Sequence, residues 1–352
     1  MLVGTLRLDI HLPAADSLKA KRSVVNHVKE RVRHRFNASI AARARQIAEN
    51  VELLVGDVQG GLMATLNQRL WDHGSVRFGA AVLLFVLLLS LAAPWLGTVD
   101  PAAMDSNVIN HAAGKSGAFN LPDGSVVQHR FWLGTDNFGR DVYSRVMYGG
   151  RISLVVGICT SLLALSLGGL CGMLAGYFRR VDAVLMRFMD GLMAIPAVLL
   201  AIALVSVLGA SVATVVVAIA IPEVPRVTRL VRSLVLSLRE EAYVEAARAL
   251  ATPTAVILWR HILPNAMAPL LVQGTFVAAS AVLTEAILSF LGLGLPPDVP
   301  TWGSMLAESR DQIIGGFWWL AVFPGVAIML TVLSLNILGD WTRDFLDPRL
   351  RK

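Results

Sequence analysis

Six apolar segments, at residues 78–96, 152–177, 192–208, 212–221, 269–291 and 317–338, constrain this chain more than any other feature. In hydrocarbon every backbone N–H and C=O must be paired within the protein, so such segments enter a bilayer as helices. The fourth is short as written and takes in flanking residues. Composition agrees: 55% hydrophobic and 16% charged residues over 352 positions, with a mean hydropathy of +0.62, fit lipid better than water. The expected fold class is an all-α polytopic membrane protein with six transmembrane helices and a small N-terminal extension.

Orientation follows from the basic residues. With both termini cytoplasmic, about 25 of the 31 Lys and Arg fall inside and about six outside. The net charge of +6 is then membrane anchoring and calls for no nucleic acid. Cys159 and Cys171 are the only cysteines and both lie in the second apolar segment. No His or further Cys accompanies them at ligand spacing, so neither a disulfide nor a metal is assigned. No cleavable signal peptide is expected, because the sequence opens with a charged segment and the first apolar run begins near residue 78.

The first forty residues differ from the rest. Leu6, Leu8, Ile10 and Leu12 alternate with polar residues as in a half-buried strand closed by Pro13. Ser17 then caps a helix with Val24, Val25, Val28 and Val32 on one side. One strand and one helix bury no core of their own. Residues 1–60 are therefore an extension, 61–76 an interfacial helix leading into the first span, and 77–352 the membrane domain.

The segment 97–150 is loop-rich and external. Within it Asp136, Arg140 and Asp141 are placed to fix a cap by hydrogen bonds and ion pairs. Gly114-Lys115-Ser116 looks like the end of a phosphate-binding loop, but Ile109 stands where that pattern needs its first glycine. No complete nucleotide-binding motif occurs, so an ATPase, if one drives this chain, is another polypeptide.

Between the fourth and fifth segments, residues 223–265 read as a cytoplasmic loop of helix, break, helix. Ala242, Ala246 and Ala249 recur at helical spacing and make a small-side-chain face, with Glu241, Glu245 and Arg248 along its edge. Pro253 marks the break. Glu285 lies deep in the fifth segment, where an ionisable group must face protein or water; it either lines a path or bonds a neighbouring helix. Arg187 and Asp190, one turn apart, are expected to pair. Gly168, Gly169, Gly172 and Gly176 are expected to permit close helix packing.

Several motifs carry a resemblance. Glu241-Ala-Tyr-Val-Glu-Ala-Ala-Arg-Ala-Leu-Ala251 through Arg260-His-Ile-Leu-Pro-Asn265 resembles the coupling loop of bacterial ABC importer permeases, in the dipeptide and oligopeptide subgroup. Leu133-Gly-Thr-Asp-Asn-Phe-Gly-Arg-Asp-Val-Tyr-Ser-Arg145, Ser289-Phe-Leu-Gly-Leu-Gly294, Pro300-Thr-Trp-Gly303 and Gly339-Asp340 agree, and the likeness runs from about Leu62 to Lys352.

The resemblance implies one of two permease subunits, a heterodimer in the bacterial inner membrane. Two ATPase subunits would carry ATP and Mg, and an external binding protein would deliver substrate. Glu241, Glu245, Ala246, Ala247, Ala251, Leu263 and Pro264 would form the ATPase-coupling site; no catalytic residue and no cofactor belongs to this chain. Peptides, glutathione and nickel chelates are the subgroup's substrates. An ion-driven secondary transporter would need several intramembrane carboxylates, and Glu285 stands almost alone. Ala251 departs from the family, which usually has glycine there.

Residues 3–13, 17–22 and 33–39 resemble the start of a small uncharacterised bacterial α/β family, cut off after Ala41.

Overall fold

The computed structural model describes residues 74–296 and 298–346, all within the unit His73–Lys352. The expected extension at 1–60 and most of the interfacial helix at 61–76 lie outside the described residues.

Among the described residues four helical segments are long and apolar enough to cross a membrane: Gly74–Trp95, Val142–Tyr177, Thr254–Phe290 and Trp319–Phe345. The first holds α1 (Gly74–Ala92) and the second is α2 (Val142–Tyr177). The third expected segment, 192–208, is essentially α4 (Ala197–Leu208); α3 (Arg179–Met193) precedes it, outside the expected span but for its last two residues, and the two helices meet at 88°. Pro196 lacks the N–H that would continue α3 and disfavours helix at Ile195, so the chain turns there. At 1.5 Å per residue α4 rises only about 18 Å, short of the hydrocarbon thickness of about 30 Å.

The fourth expected segment is longer than its apolar stretch. Ser211 caps α5 (Val212–Leu238) by accepting from the Thr214 N–H at 3.1 Å, and the helix runs on through Pro222 and Pro225 well past Ile221. Among the described residues, four straight spans, one bent pair, and α5, apolar in its N-terminal half and charged in its C-terminal half, stand where six straight spans were expected. The class, a helical polytopic membrane protein, stands.

Close packing of α2 on α5 is written in two four-residue repeats. A Cβ placed on Gly168, Gly172 or Gly176 would lie 2.6 Å from the Cβ of Val227, Val231 or Val235 respectively, so only hydrogen fits. Gly169 faces open space and has no part in the seam. The expected Arg187–Asp190 pair does not form. Asp190 instead pairs with Arg229 of α5 at 2.6 Å, and Asp182 with Arg232, so both acids tie α3 to the neighbouring helix.

Between α1 and α2 an antiparallel hairpin, β1 (Ser116–Asn120) and β2 (Val126–Arg130), closes over Phe119 and Phe131. After α5 come α6 (Ala242–Ala249), the short α7 (Thr254–Val256), a π-helical turn at Ile257–Ile262, and α8 (Leu263–Phe290). α9 (Trp302–Ser309) and α10 (Trp319–Leu346) complete the described chain.

Candidate coupling surface and its supports

The stretch 223–265 is not loop throughout: its first part belongs to α5 and its last to the helix entering α8, leaving only the connection around α6 outside the long helices. α6 is anchored by one face. Val244 and Ala247 are buried among Val235, Ile257, Leu258 and Ile262. The opposite face leaves Ala242, Glu245, Ala246, Ala249 and Leu250 exposed, with Glu241 ahead of them at the N-cap. Leu250 is 81% exposed. Ala247 is therefore a seat for the helix, and Ala246 belongs to the surface another protein can meet.

Two aromatic contacts fix the angle of α6. The Arg248 guanidinium stands 5.2 Å over the Tyr177 ring at the end of α2, and Tyr243 lies 6.4 Å from His261. Burial, with the Glu241 charge adding, pushes the Tyr243 hydroxyl above its ordinary value and keeps it neutral.

The turn after α6 is a Schellman motif: the Thr252 N–H donates to Ala247 O at 3.0 Å and the Ala251 N–H to Arg248 O at 2.9 Å. Ala251 adopts φ +57°, the left-handed conformation a glycine would take. The glycine geometry is thus kept without the glycine. Downstream, Pro264 can donate nothing to the Arg260 carbonyl and would crowd it, and the helix widens into the π turn immediately before it. Pro264 is exposed, while Leu263 is half-buried against the cluster that seats α6.

At the end of the α1–α2 connection Asp136 and Arg140 belong to a buried four-member ion cluster. Asp136 Oδ2 accepts from Arg140 Nε at 2.7 Å and from Arg145 Nη1 at 2.6 Å, and Arg145 reaches Glu308 Oε2 at 2.6 Å. Arg140 also pairs with Glu308. Asp141 stands apart from this cluster and caps α2, accepting from the Ser144 N–H at 2.9 Å, with His129 Nε2 3.5 Å away. Sequence reading missed Arg145 and Glu308. Arg145 was visible as an Arg inside the same motif, whereas Glu308 lies 163 residues away and carried no local signal.

Glu285 is 1% exposed. Its Oε1 accepts from Ser289 Oγ and from Thr301 Oγ1, each at 2.8 Å. Thr301 is also the N-cap of α9, forming a reciprocal capping box with Ser304. A Cβ on Gly303 would fall 2.6 Å from Ala286 Cα, and one on Gly294 2.5 Å from Ser289 Cα. The motifs at 289–294 and 300–303 thus close around one buried carboxyl. Among the described residues no group of three His, Cys, Asp or Glu side chains can hold a metal.

A polytopic helical bundle that presents a short, firmly seated surface helix between two long ones is the architecture of a transport-system membrane subunit. Residues 165–352 match the family described as "Binding-protein-dependent transport system inner membrane component", and this chain belongs to it. It is 42% identical over 306 residues to a Brucella abortus protein named for a peptide transport system permease, covering 87% of this chain and 98% of that one. It is 42% identical over 274 residues to the dipeptide transport system permease protein of Alkalihalophilus pseudofirmus, covering 78% and 85%. Over 270 residues it is 42% identical to the glutathione transport system permease protein of Pectobacterium atrosepticum, covering 76% and 86%. Residues 3–55 match a second family, described as "Protein of unknown function (DUF503)", a stretch that runs past Ala41.

Proposed function

We propose that this chain is one of two permease subunits of an ATP-driven ABC importer and forms half of the path taken by peptides. The observation that carries this reading is the exposed face of α6, small and flanked by Glu241 and Glu245, on a helix that its buried face makes rigid. Such a helix transmits the movement of a docked ATPase as a body. ATP and Mg act on two separate ATPase subunits, and this chain breaks no bond. An external binding protein delivers the substrate, and both termini lie in the cytoplasm of a bacterium.

ATP drives the cycle through its different affinity for the two states of the ATPase pair. Closure brings the two coupling helices together and turns the permease pair from inward-facing to outward-facing; hydrolysis resets it. Peptide is favoured as substrate because relatives along most of the chain are named for peptide or dipeptide transport.

The test is purification of the tagged chain expressed with its neighbouring genes, followed by mass spectrometry and an ATPase assay of wild type beside Glu245→Ala. Recovery of a second permease and ATPase subunits, with coupled activity weakened by the substitution, is expected. A chain that purifies alone and moves substrate without ATP would overturn the reading.

A further inference from the structure

We propose that Arg226 recognises the C-terminal carboxylate of the transported peptide from the wall of the inner half of the path. The assignment rests on the import reading above. Depth is the first observation. Val227, beside it on α5, packs on Gly168 of α2. No charged residue interrupts α2 between Arg151 and the end of the helix, and Arg179 follows it. Gly168 stands about 16 Å of helical rise from Arg179 and about 25 Å from Arg151. Arg226 is therefore level with the hydrocarbon interior, yet its side chain is 56% exposed in this chain. An arginine at that depth faces water or another protein, and not lipid.

The pattern along α5 favours water. Arg226, Arg229, Ser233 and Ser237 are exposed at three- and four-residue spacing and form one polar stripe down the inner half of α5, whereas the exposed Ala213 and Val217 of the outer half lie on the opposite side of the helix, and their own side is closed by the buried Ala220 and Val224. A seam between membrane subunits is built of small, closely packed side chains. An exposed polar strip from the bilayer interior to the inner end instead suits the wall of an aqueous path.

Within that strip Arg226 is distinctive. Arg229 is paired with Asp190. Arg226 meets Glu223, which is largely buried, through Nη1 alone, at 3.0 and 3.3 Å; Nε and Nη2 have no partner among the described residues. Glu223 makes a guanidinium tolerable in the membrane and leaves the rest of the planar fork for a second carboxylate. Two acids sharing one cation hold the second weakly enough to let it leave, as transport requires.

The test uses the complete complex with its partner permease, ATPase subunits and binding protein in proteoliposomes. Uptake of trialanine is compared with uptake of its C-terminal amide. The wild type is expected to favour the free acid, and Arg226→Gln to lower the acid-to-amide ratio about tenfold, the worth of one charge-assisted contact. If that variant fails to assemble, Arg226→Met is read on the same ratio. A ratio unchanged by the substitution, or equal loss of acid and amide, overturns the assignment; the second would place Arg226 against the partner permease. A wild-type complex that moves neither peptide overturns the import reading itself, and the assignment with it.

Discussion

Ala251 and Gly292 occupy the same position of the same helix-ending motif. After α8 the Leu293 N–H donates to Leu288 O at 2.9 Å and the Gly292 N–H to Ser289 O at 3.0 Å, which repeats the pattern at Thr252 and Ala251. Gly292 takes φ +77° and Ala251 φ +57°. One chain therefore solves one problem twice, once with the residue that fits and once with a methyl group that crowds the backbone.

Ala251→Gly is expected to tighten the end of α6 by about 1 kcal/mol, and Gly292→Ala to loosen the end of α8 by a similar amount. Amide hydrogen exchange reads both. The Thr252 amide should exchange about fivefold more slowly in Ala251→Gly. An unchanged rate at Thr252 would show that alanine sits in this turn without strain.

The seam between α2 and α5 gives a second test. Gly172→Val would drive its side chain into Val231 Cβ, 2.6 Å from the new Cβ, and into the Thr228 carbonyl at 2.7 Å. Neither can yield without parting the helices, so a loss of about 3 kcal/mol, the upper end of the overpacking range, is expected. Gly169→Ala meets nothing within 4 Å and is the control. Melting of the detergent-solubilised protein should fall steeply for the first variant and stay put for the second.

What was legible in the sequence was whatever repeats within a few residues. The alanine periodicity of α6, the break at Pro253 and the glycine spacing on α2 are local, and each corresponds to a feature in place. Pairing across the fold was not local. Asp190 finds Arg229, 39 residues away, because α3 folds back across α5, and the nearer Arg187 offered a false partner. The bend at Pro196 was also readable as chemistry, but hydropathy marked only 192–208, essentially α4, because α3 ahead of the bend carries Arg179, Arg180, Asp182, Arg187 and Asp190 and does not read as a span. Likewise the depth of Glu285 was evident, while its two donors depend on how α8 and α9 meet.

Acid should loosen the β1–β2 hairpin through Asp105. Burial tends to raise its carboxyl, but hydrogen bonds from the Asn107 and Asn120 backbones and the Asn120 side chain prevail and hold it below the usual carboxylate value. A carboxylate whose pKa is depressed by folding stabilises the native state above its unfolded value of about 3.9, and the contribution is lost as pH falls through the folded value. The melting difference between wild type and Asp105→Asn should therefore be largest near neutrality and shrink below about pH 4. A difference constant over that window would remove the carboxylate from the account.

Arg145 holds the ion cluster together because it alone joins Asp136 and Glu308 from within α2, the long apolar helix. Arg140 touches the same two acids but sits in the loop before the helix. Replacing Arg145 leaves two carboxylates facing each other around a single guanidinium, and Asp136 has almost no access to water. A cost of about 3 to 5 kcal/mol is expected for Arg145→Ala, the range for breaking a buried pair from one side. Asp136→Asn with Glu308→Gln in the Arg145→Ala background should recover part of that loss, since the repulsion disappears with the charges. Thermal unfolding in detergent at low and high salt distinguishes this from a surface effect. A buried cluster is screened little by salt, so the loss should persist at 1 M salt, whereas an exposed pair would lose its contribution as the screening length falls to about 3 Å. A deficit that disappears in high salt would mean that the cluster is open to water and that the cap is held by the packing of Trp319 and Met305 on Val142 instead.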